Sequence, residues 1–381
     1  MELTPRKIAL HAGLFLLTFV STTLAGAEWI HGKSILVPGY TWADFASGMP
    51  YSIPFLFILS VHEFGHYFTA IHHRVRTTLP YYIPLPPFPF MIGTLGALIR
   101  LKSRVPSKQQ TFDIGIAGPL AGFIATVGVL LYGFATLPPP EYVFQFHPDY
   151  ETYGLDYANY VYTDAFLSAG AADILIGKNL LFLFFENVIA DPARVPNIHE
   201  IIHYPYLFAG FLSLVFTSIN LLPIGQLDGG HVLYGLLGYQ GHRRVAMVVF
   251  MVFVFYAGLG AITFFGPAAD PVWYIPLYVG FLYITLIGLR LTWQDTLMYA
   301  MIIFASQFLL AWLIPGIKGY PGWLVFVFII GRFIGVDHPP CEIEEPLTPL
   351  RQWLGWLALF IFVISFAPAP IEVIVYPPPA P

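Results

Sequence analysis

The chain has 381 residues, 57% of them hydrophobic and only 10% charged, with a formal net charge of −5 and a mean hydropathy of +0.70. A soluble domain carries about 25% charged residues, so the composition excludes an ordinary soluble protein. It points to an all-α polytopic membrane protein embedded in a lipid bilayer, with room for about eight or nine spans of roughly 20 residues. Cys341 is the single cysteine, which excludes an internal disulfide and a thiolate metal cluster. No nucleic-acid partner is expected.

Apolar runs place candidate spans near 8–26, 52–72, 112–136, 205–224, 245–265, 272–290, 296–314, 321–336 and 351–367. Arg6 and Lys7 precede the first run and put the N-terminus in the cytoplasm by the positive-inside rule. The same basic start, with Ala25-Gly26-Ala27 behind an apolar core, also fits a secretory signal. A retained span is the preferred reading, and cleavage would leave later orientations unchanged.

The second run contains His62-Glu63-Phe64-Gly65-His66. Histidines at i and i+4 share one helix face, so both imidazoles can reach a single Zn²⁺ while the glutamate stands beside the metal-bound water as general base. Ionisable groups are costly inside a membrane, which makes this stretch a functional-site hypothesis by default. The competing readings are a chance five-residue match, or histidines that only pair with neighbouring helices.

The connection that follows carries Arg74, Arg76, Arg100, Lys102, Arg104 and Lys108 and reads as cytoplasmic. Its proline-dense segment Leu79–Phe90 excludes helix, and Gly93–Lys102 alternates toward its end like a strand with one wet face. Non-helical backbone near a membrane must be paired inside the protein or line a wet cavity. A re-entrant hairpin beside the site meets that demand, and a proline-stiffened cytoplasmic loop is the alternative. After the third run, residues 138–204 are acidic and tyrosine-rich and lie outside. Within them, Leu175–Phe185 is too short to span and suits the interface.

Two histidines and a water leave a tetrahedral zinc site one protein ligand short. Asp228, in Asn220-Leu221-Leu222-Pro223-Ile224-Gly225-Gln226-Leu227-Asp228-Gly229-Gly230-His231, is the only acidic residue between Glu200 and Asp270. A carboxylate so isolated wants a cation. Its plainer reading is a cap on the next helix or the end of the span near water. His231 reads either as a partner of Asp228 or as a span-terminal histidine facing headgroups. His72 and His73 read as interfacial.

These residues resemble the site-2 protease family of intramembrane zinc metalloproteases. His62–His66 matches the family's first motif, Asn220–Gly230 matches its N-x-x-P-x-x-x-L-D-G-G segment, and Gly115–Phe123 is similar to the glycine-rich sequence of its middle core helix. The resemblance covers about 50–245. It implies a three-helix zinc core with a membrane-re-entrant β-hairpin and additional C-terminal transmembrane helices. It further implies His62, His66 and Asp228 as zinc ligands, Glu63 as base, and Asn220 as a holder of the scissile peptide or its oxyanion.

The implied divisions are 1–50, an N-terminal span and short loop; 51–245, the catalytic core with the outside loop; and 246–381, accessory helices and a proline-rich tail. Substrates would be single-span membrane proteins, cut at a site toward the cytoplasmic side after local unwinding along a strand edge. No PDZ insertion is visible, and the helices after about 245 match nothing assignable. A membrane transporter or metal carrier using the same His and Asp is the alternative. A non-catalytic scaffold is a third reading, which the intact Glu63 argues against. The oligomeric state is not readable.

Overall fold

The structure, a computed structural model, describes residues 4–88, 91–163, 172–261 and 271–375. Pro89 and Phe90 of the proline-dense segment, the end of the expected 245–265 span and the proline-rich tail Tyr376–Pro381 lie outside the described residues. In chain order the helices are α1 Pro5–His31, α2 Trp42–Ser47, α3 Met49–His72, α4 Lys108–Ala135, α5 Ala158–Val161, α6 Leu180–Phe184, α7 Pro205–Asn220, α8 Asp228–Gly258, α9 Pro271–Leu286, α10 Trp293–Leu313, α11 Trp323–Ile329 and α12 Pro349–Ser365. Strands β1 Tyr81–Pro84 and β2 Thr94–Leu98 form one antiparallel pair, and β3 Ala172–Ile176 and β4 Ile371–Val375 another.

Among the described residues, five helices are long and apolar enough to cross a membrane: Pro5–His31, Lys108–Ala135, Asp228–Gly258, Val272–Leu289 and Trp293–Leu313. Large apolar side chains such as Leu16, Ile124, Val252, Leu277 and Trp312 point outward from them. In water such a surface would be an aggregation hazard, whereas in lipid it is the solvated face. The chain is an all-α polytopic membrane protein. At 24 residues α3 reaches about 36 Å, enough to span. It is not among the five, because its histidines, Glu63 and two prolines dilute its apolar character.

The helices depart from the expected spans at three places. The run near 205–224 forms a helix of only 16 residues, about 24 Å long, because Pro223 and Gly225 lie in the turn that follows it. Helical structure extends backward from 245 to Asp228, in two segments that meet at a kink at Gly238 (φ 67°, ψ −177°). The run near 321–336 splits into α11 and a π-helical turn, Ile330–Ile334.

The chain divides into two compact units. The first comprises 1–104, 117–219 and 363–381. Here α1 and the start of α3 touch through glycines: a Cβ on Gly48 would lie 1.9 Å from the Thr23 carbonyl oxygen. Thr23 Oγ1 and Ser52 Oγ share a hydrogen bond of 2.8 Å across the same contact. Tyr51 stacks on Phe208 of α7 with centroids 5.4 Å apart, and Trp29 of α1 meets the same ring at 5.3 Å. The acidic loop has a small core of its own, built on Val143, Tyr150, Tyr157 and Val161. Strand β3 pairs with β4 from Ala172↔Val375 to Ile176↔Ile371, and Asn179 Nδ2 donates to the Ser365 carbonyl at 3.0 Å.

The second unit comprises 105–116 and 220–362. Arg351 of α12 grips Asp113 of α4 in a two-pronged ion pair, with Nε to Oδ1 at 2.7 Å and Nη2 to Oδ2 at 2.8 Å. That fork geometry is the strongest form of the pair. Tyr278 of α9 donates to Gln307 Oε1 of α10 at 2.9 Å, and Gln307 donates in turn to the Phe255 carbonyl of α8 at 2.8 Å. These polar groups are satisfied by one another, as groups buried in an apolar bundle must be.

Candidate active site

Helix α3 begins behind Gly48 with Pro50 in its first turn, where a missing N–H costs nothing. Three turns later it carries His62, Glu63 and His66, exposed by only 5%, 4% and 6%. The i,i+4 spacing brings the two imidazoles onto one face, with Nε2 atoms 3.1 Å apart. Donors held 2.0–2.1 Å from one tetrahedral ion are separated by about 3.3–3.4 Å. The two nitrogens already stand at nearly that spacing.

Helix α4 keeps them there. A Cβ on Gly118 would sit 2.1 Å from His66 Nε2, and one on Gly122 would sit 3.0 Å from His62 Cβ. From the other side, a Cβ on Gly65 would meet the Ala117 carbonyl at 2.7 Å. Gly118 and Gly122 therefore act as the packing residues that small side chains make possible between membrane helices. Gly65 joins them; its signal in the sequence is the glycine inside the histidine motif, which the motif itself does not require.

In the second unit, Asn220 closes α7 and Asp228 opens α8. The chain between them folds back on itself: a Cβ on Gly229 would lie 1.9 Å from the Leu221 carbonyl, and one on Gly230 would lie 2.2 Å from the Gly225 carbonyl. Gly225 adopts φ 58°, a conformation glycine takes readily. This explains the paired glycines after Asp228 by space alone. The N-cap of α8 is Leu227, and Asp228 is the first helical residue, half-buried. Asp228 thus does not cap the helix, although a carboxylate is favoured in that first turn. His231 Nδ1 is 2.7 Å from His338 Nε2, and His338 Nδ1 donates to the Pro339 carbonyl at 2.6 Å. His338 therefore accepts through Nε2 and fixes the His231 tautomer.

The hairpin is present in the first unit, with Tyr81↔Leu98, Tyr82↔Ala97 and Pro84↔Thr94 in register and a bulge between Tyr82 and Pro84. The ladder continues outward through Thr78 N to Arg100 O at 3.1 Å and Lys102 N to Arg76 O at 2.7 Å. Prolines 80 and 84 suit a strand with an unpaired edge, since neither can donate. Tyr82 and Ser60 of α3 share a 2.7 Å hydroxyl contact, so the hairpin is anchored two residues before His62. From α1, Ser21 Oγ donates to the Gly93 carbonyl at 2.6 Å and Trp29 Nε1 to the Met91 carbonyl at 3.1 Å. Leu95 and Leu98 on β2 remain exposed.

Residues 50–260, more than half of the chain, match the model of peptidase family M50. A probable zinc metalloprotease, EGY1, chloroplastic, from Arabidopsis thaliana is 30% identical over 233 residues, covering 61% of this chain and 36% of the relative. A probable zinc metalloprotease, EGY3, chloroplastic, from Oryza sativa subsp. indica is 27% identical over 271 residues, covering 69% of this chain and 41% of the relative. A probable zinc metalloprotease, EGY2, chloroplastic, from Arabidopsis thaliana is 26% identical over 198 residues, covering 52% and 30%. The chain thus spans about a third of the length of these relatives. No solved structure matches it.

Proposed function

The chain belongs to peptidase family M50, and from that premise we propose that it is an intramembrane zinc endopeptidase cutting single-span membrane proteins in or near their transmembrane segments. The observation that carries the reading is the buried His62–His66 pair, with Nε2 atoms 3.1 Å apart and a wall of α4 glycines against both rings. His62, His66 and Asp228, whose donor atoms lie within 4.8 Å of one another, would hold one Zn²⁺, since two neutral imidazoles and one carboxylate are a donor set that suits this ion. When bound, the ion supplies Lewis acidity toward water and the peptide carbonyl.

Glu63, one residue from His62 and equally buried, takes the proton from the attacking water and returns it to the leaving amine. Asn220 holds the scissile peptide through its side-chain amide. A transmembrane helix must unwind before attack, and the open edge of the β1–β2 hairpin offers backbone partners to the extended segment. The relatives' names, zinc metalloprotease, support the same chemistry.

The test is cleavage of a single-span substrate with helix-breaking residues by the purified chain in bilayers. Cleavage that a chelator stops and Zn²⁺ restores is expected. Metal transport by a zinc-loaded chain without any peptide cleavage would overturn the reading in favour of a carrier. Asp228→Ala is expected to lower the bound zinc by one equivalent while the chain stays folded, measured by metal analysis and thermal melting. Unchanged zinc would remove Asp228 from the ligand set.

We place the site toward the cytoplasm because basic residues crowd 74–108 and acidic residues 138–204. With Cys341 replaced, single cysteines at the exposed positions Lys102 and Asp156 should label from opposite membrane faces. Labelling of both from one face would overturn that topology.

A further inference from the structure

Away from the proposed catalytic residues, three other side chains in the first unit converge. His147 precedes the 3₁₀ stretch Pro148–Asp156, and Glu200 and His203 bracket the 3₁₀ turn Ile201–His203. Residues i and i+3 lie one above the other in a 3₁₀ turn, so the Glu-x-x-His spacing puts both groups on one face. The two imidazole Nε2 atoms stand 3.2 Å apart, and Glu200 Oε2 is 3.6 Å from each. Three donors around one tetrahedral zinc ion would be about 3.3–3.4 Å apart.

Hydrogen bonding assigns the protons. His203 Nδ1 faces the Ile30 carbonyl oxygen at 2.5 Å. A carbonyl only accepts, so Nδ1 carries the hydrogen and Nε2 of the neutral ring presents its lone pair to the cluster. A histidine oriented by a backbone carbonyl in this way is the usual arrangement behind a metal ligand. Glu200 Oε1 accepts from the Tyr162 hydroxyl. Its Oε2 is buried with no hydrogen-bond partner among the described residues, on a side chain only 1% exposed.

A hydrogen bond between His147 and His203 would satisfy both Nε2 atoms and still strand that oxygen, since 3.6 Å is beyond hydrogen-bond reach. A buried carboxylate oxygen without a partner is costly. Aromatic rings fix both imidazoles: Phe146 stacks on His203 at 4.4 Å, and Tyr150 on His147 at 4.5 Å.

We propose that His147, Glu200 and His203 form a second zinc site, which staples the acidic loop to the end of α1 and the entry of α7. The donor set of two imidazoles and one carboxylate selects a divalent ion of the zinc class over calcium or magnesium, which prefer all-oxygen surroundings. Tyr162 acts as a positioning residue: its hydroxyl holds Oε1 and thereby aims Oε2.

The test uses the full chain in detergent with Zn²⁺ as the titrant. His62→Ala/His66→Ala, which removes the proposed catalytic ligands, should still bind about one equivalent, and Co²⁺ in its place should show the visible bands of a tetrahedral site. Adding His147→Ala/His203→Ala should abolish both signals. In the otherwise unaltered chain, the isosteric Glu200→Gln should lower bound zinc from two equivalents to one. Tyr162→Phe should weaken the second site by about 10–100-fold, the usual cost of losing a group behind a ligand. A folded His62→Ala/His66→Ala chain that binds no zinc would overturn the proposal. Should that variant not fold, equal zinc in folded Glu200→Gln and the unaltered chain overturns it instead.

Discussion

Glu63→Gln is expected to keep its zinc and its thermal midpoint while peptide cleavage falls by about 10²–10⁴-fold, the usual contribution of a general base. Glutamine has nearly the shape of glutamate, so the tight contact between α3 and α4 is undisturbed. What is lost is the carboxylate proposed to take a proton from water, in a buried stretch where Glu63 is only 4% exposed and bulk water would not substitute for it. Zinc content, melting and cleavage of a single-span substrate, all measured on one preparation, separate this outcome from simple unfolding. A zinc-loaded Glu63→Gln chain that still cuts substantially would end the assignment of Glu63 as base.

Gly118→Ala should be almost as damaging, although it adds one methyl and removes nothing. The new Cβ would lie 2.1 Å from His66 Nε2 and 2.4 Å from its Cδ2. Relief of that overlap requires a shift of more than about 1 Å, by the imidazole or by α4, since unbonded carbon and nitrogen settle near 3.5 Å. Misplacement of a reacting group by about 1 Å costs on the order of 100-fold in rate, and zinc affinity should fall with it. Gly128→Ala, ten residues further along α4, is the control: nothing lies within 4 Å of its Cβ, so zinc and cleavage should be unchanged. Equal behaviour of the two variants would show that the glycine wall does not position His66.

The fold class was legible because it rests on composition and long apolar runs, which survive any rearrangement of contacts. The ends of the helices were less so. Hydropathy does not mark the helical stretch between Asp228 and 245, because Arg243 and Arg244 interrupt the apolar pattern there; only the reading of Asp228 as a cap points to a helix start at that place. The histidine pair was legible since i and i+4 share a face in any α-helix. The service of Gly118 to His66, as opposed to general helix packing, depends on which way α4 faces α3, and no single-chain periodicity encodes that. The pairing of β3 with β4 joins segments nearly 200 residues apart. The convergence of His147 with Glu200 and His203 likewise joins segments distant in the chain, and its one local trace, Glu-x-x-His, is too short a pattern to specify a site by itself.

The hairpin hangs from α1 as much as from α3. Ser21 and Trp29 hold the backbone of Gly93 and Met91, and a Cβ on Gly93 would strike the Thr22 Cα at 2.4 Å. Yet α1 ends at His31, ahead of the stretch from 50 to 260 that the family shares. His62, Glu63 and His66 sit on α3 alone, whereas the strand pair proposed to receive a substrate is shared between α3 and α1. Evolution could re-pitch that strand pair by altering α1, through one hydroxyl and one indole, without touching a single ligand. The same arrangement implies that a chain trimmed to the shared stretch would keep its histidine pair and the Tyr82–Ser60 contact but lose the α1 half of the hairpin's mount.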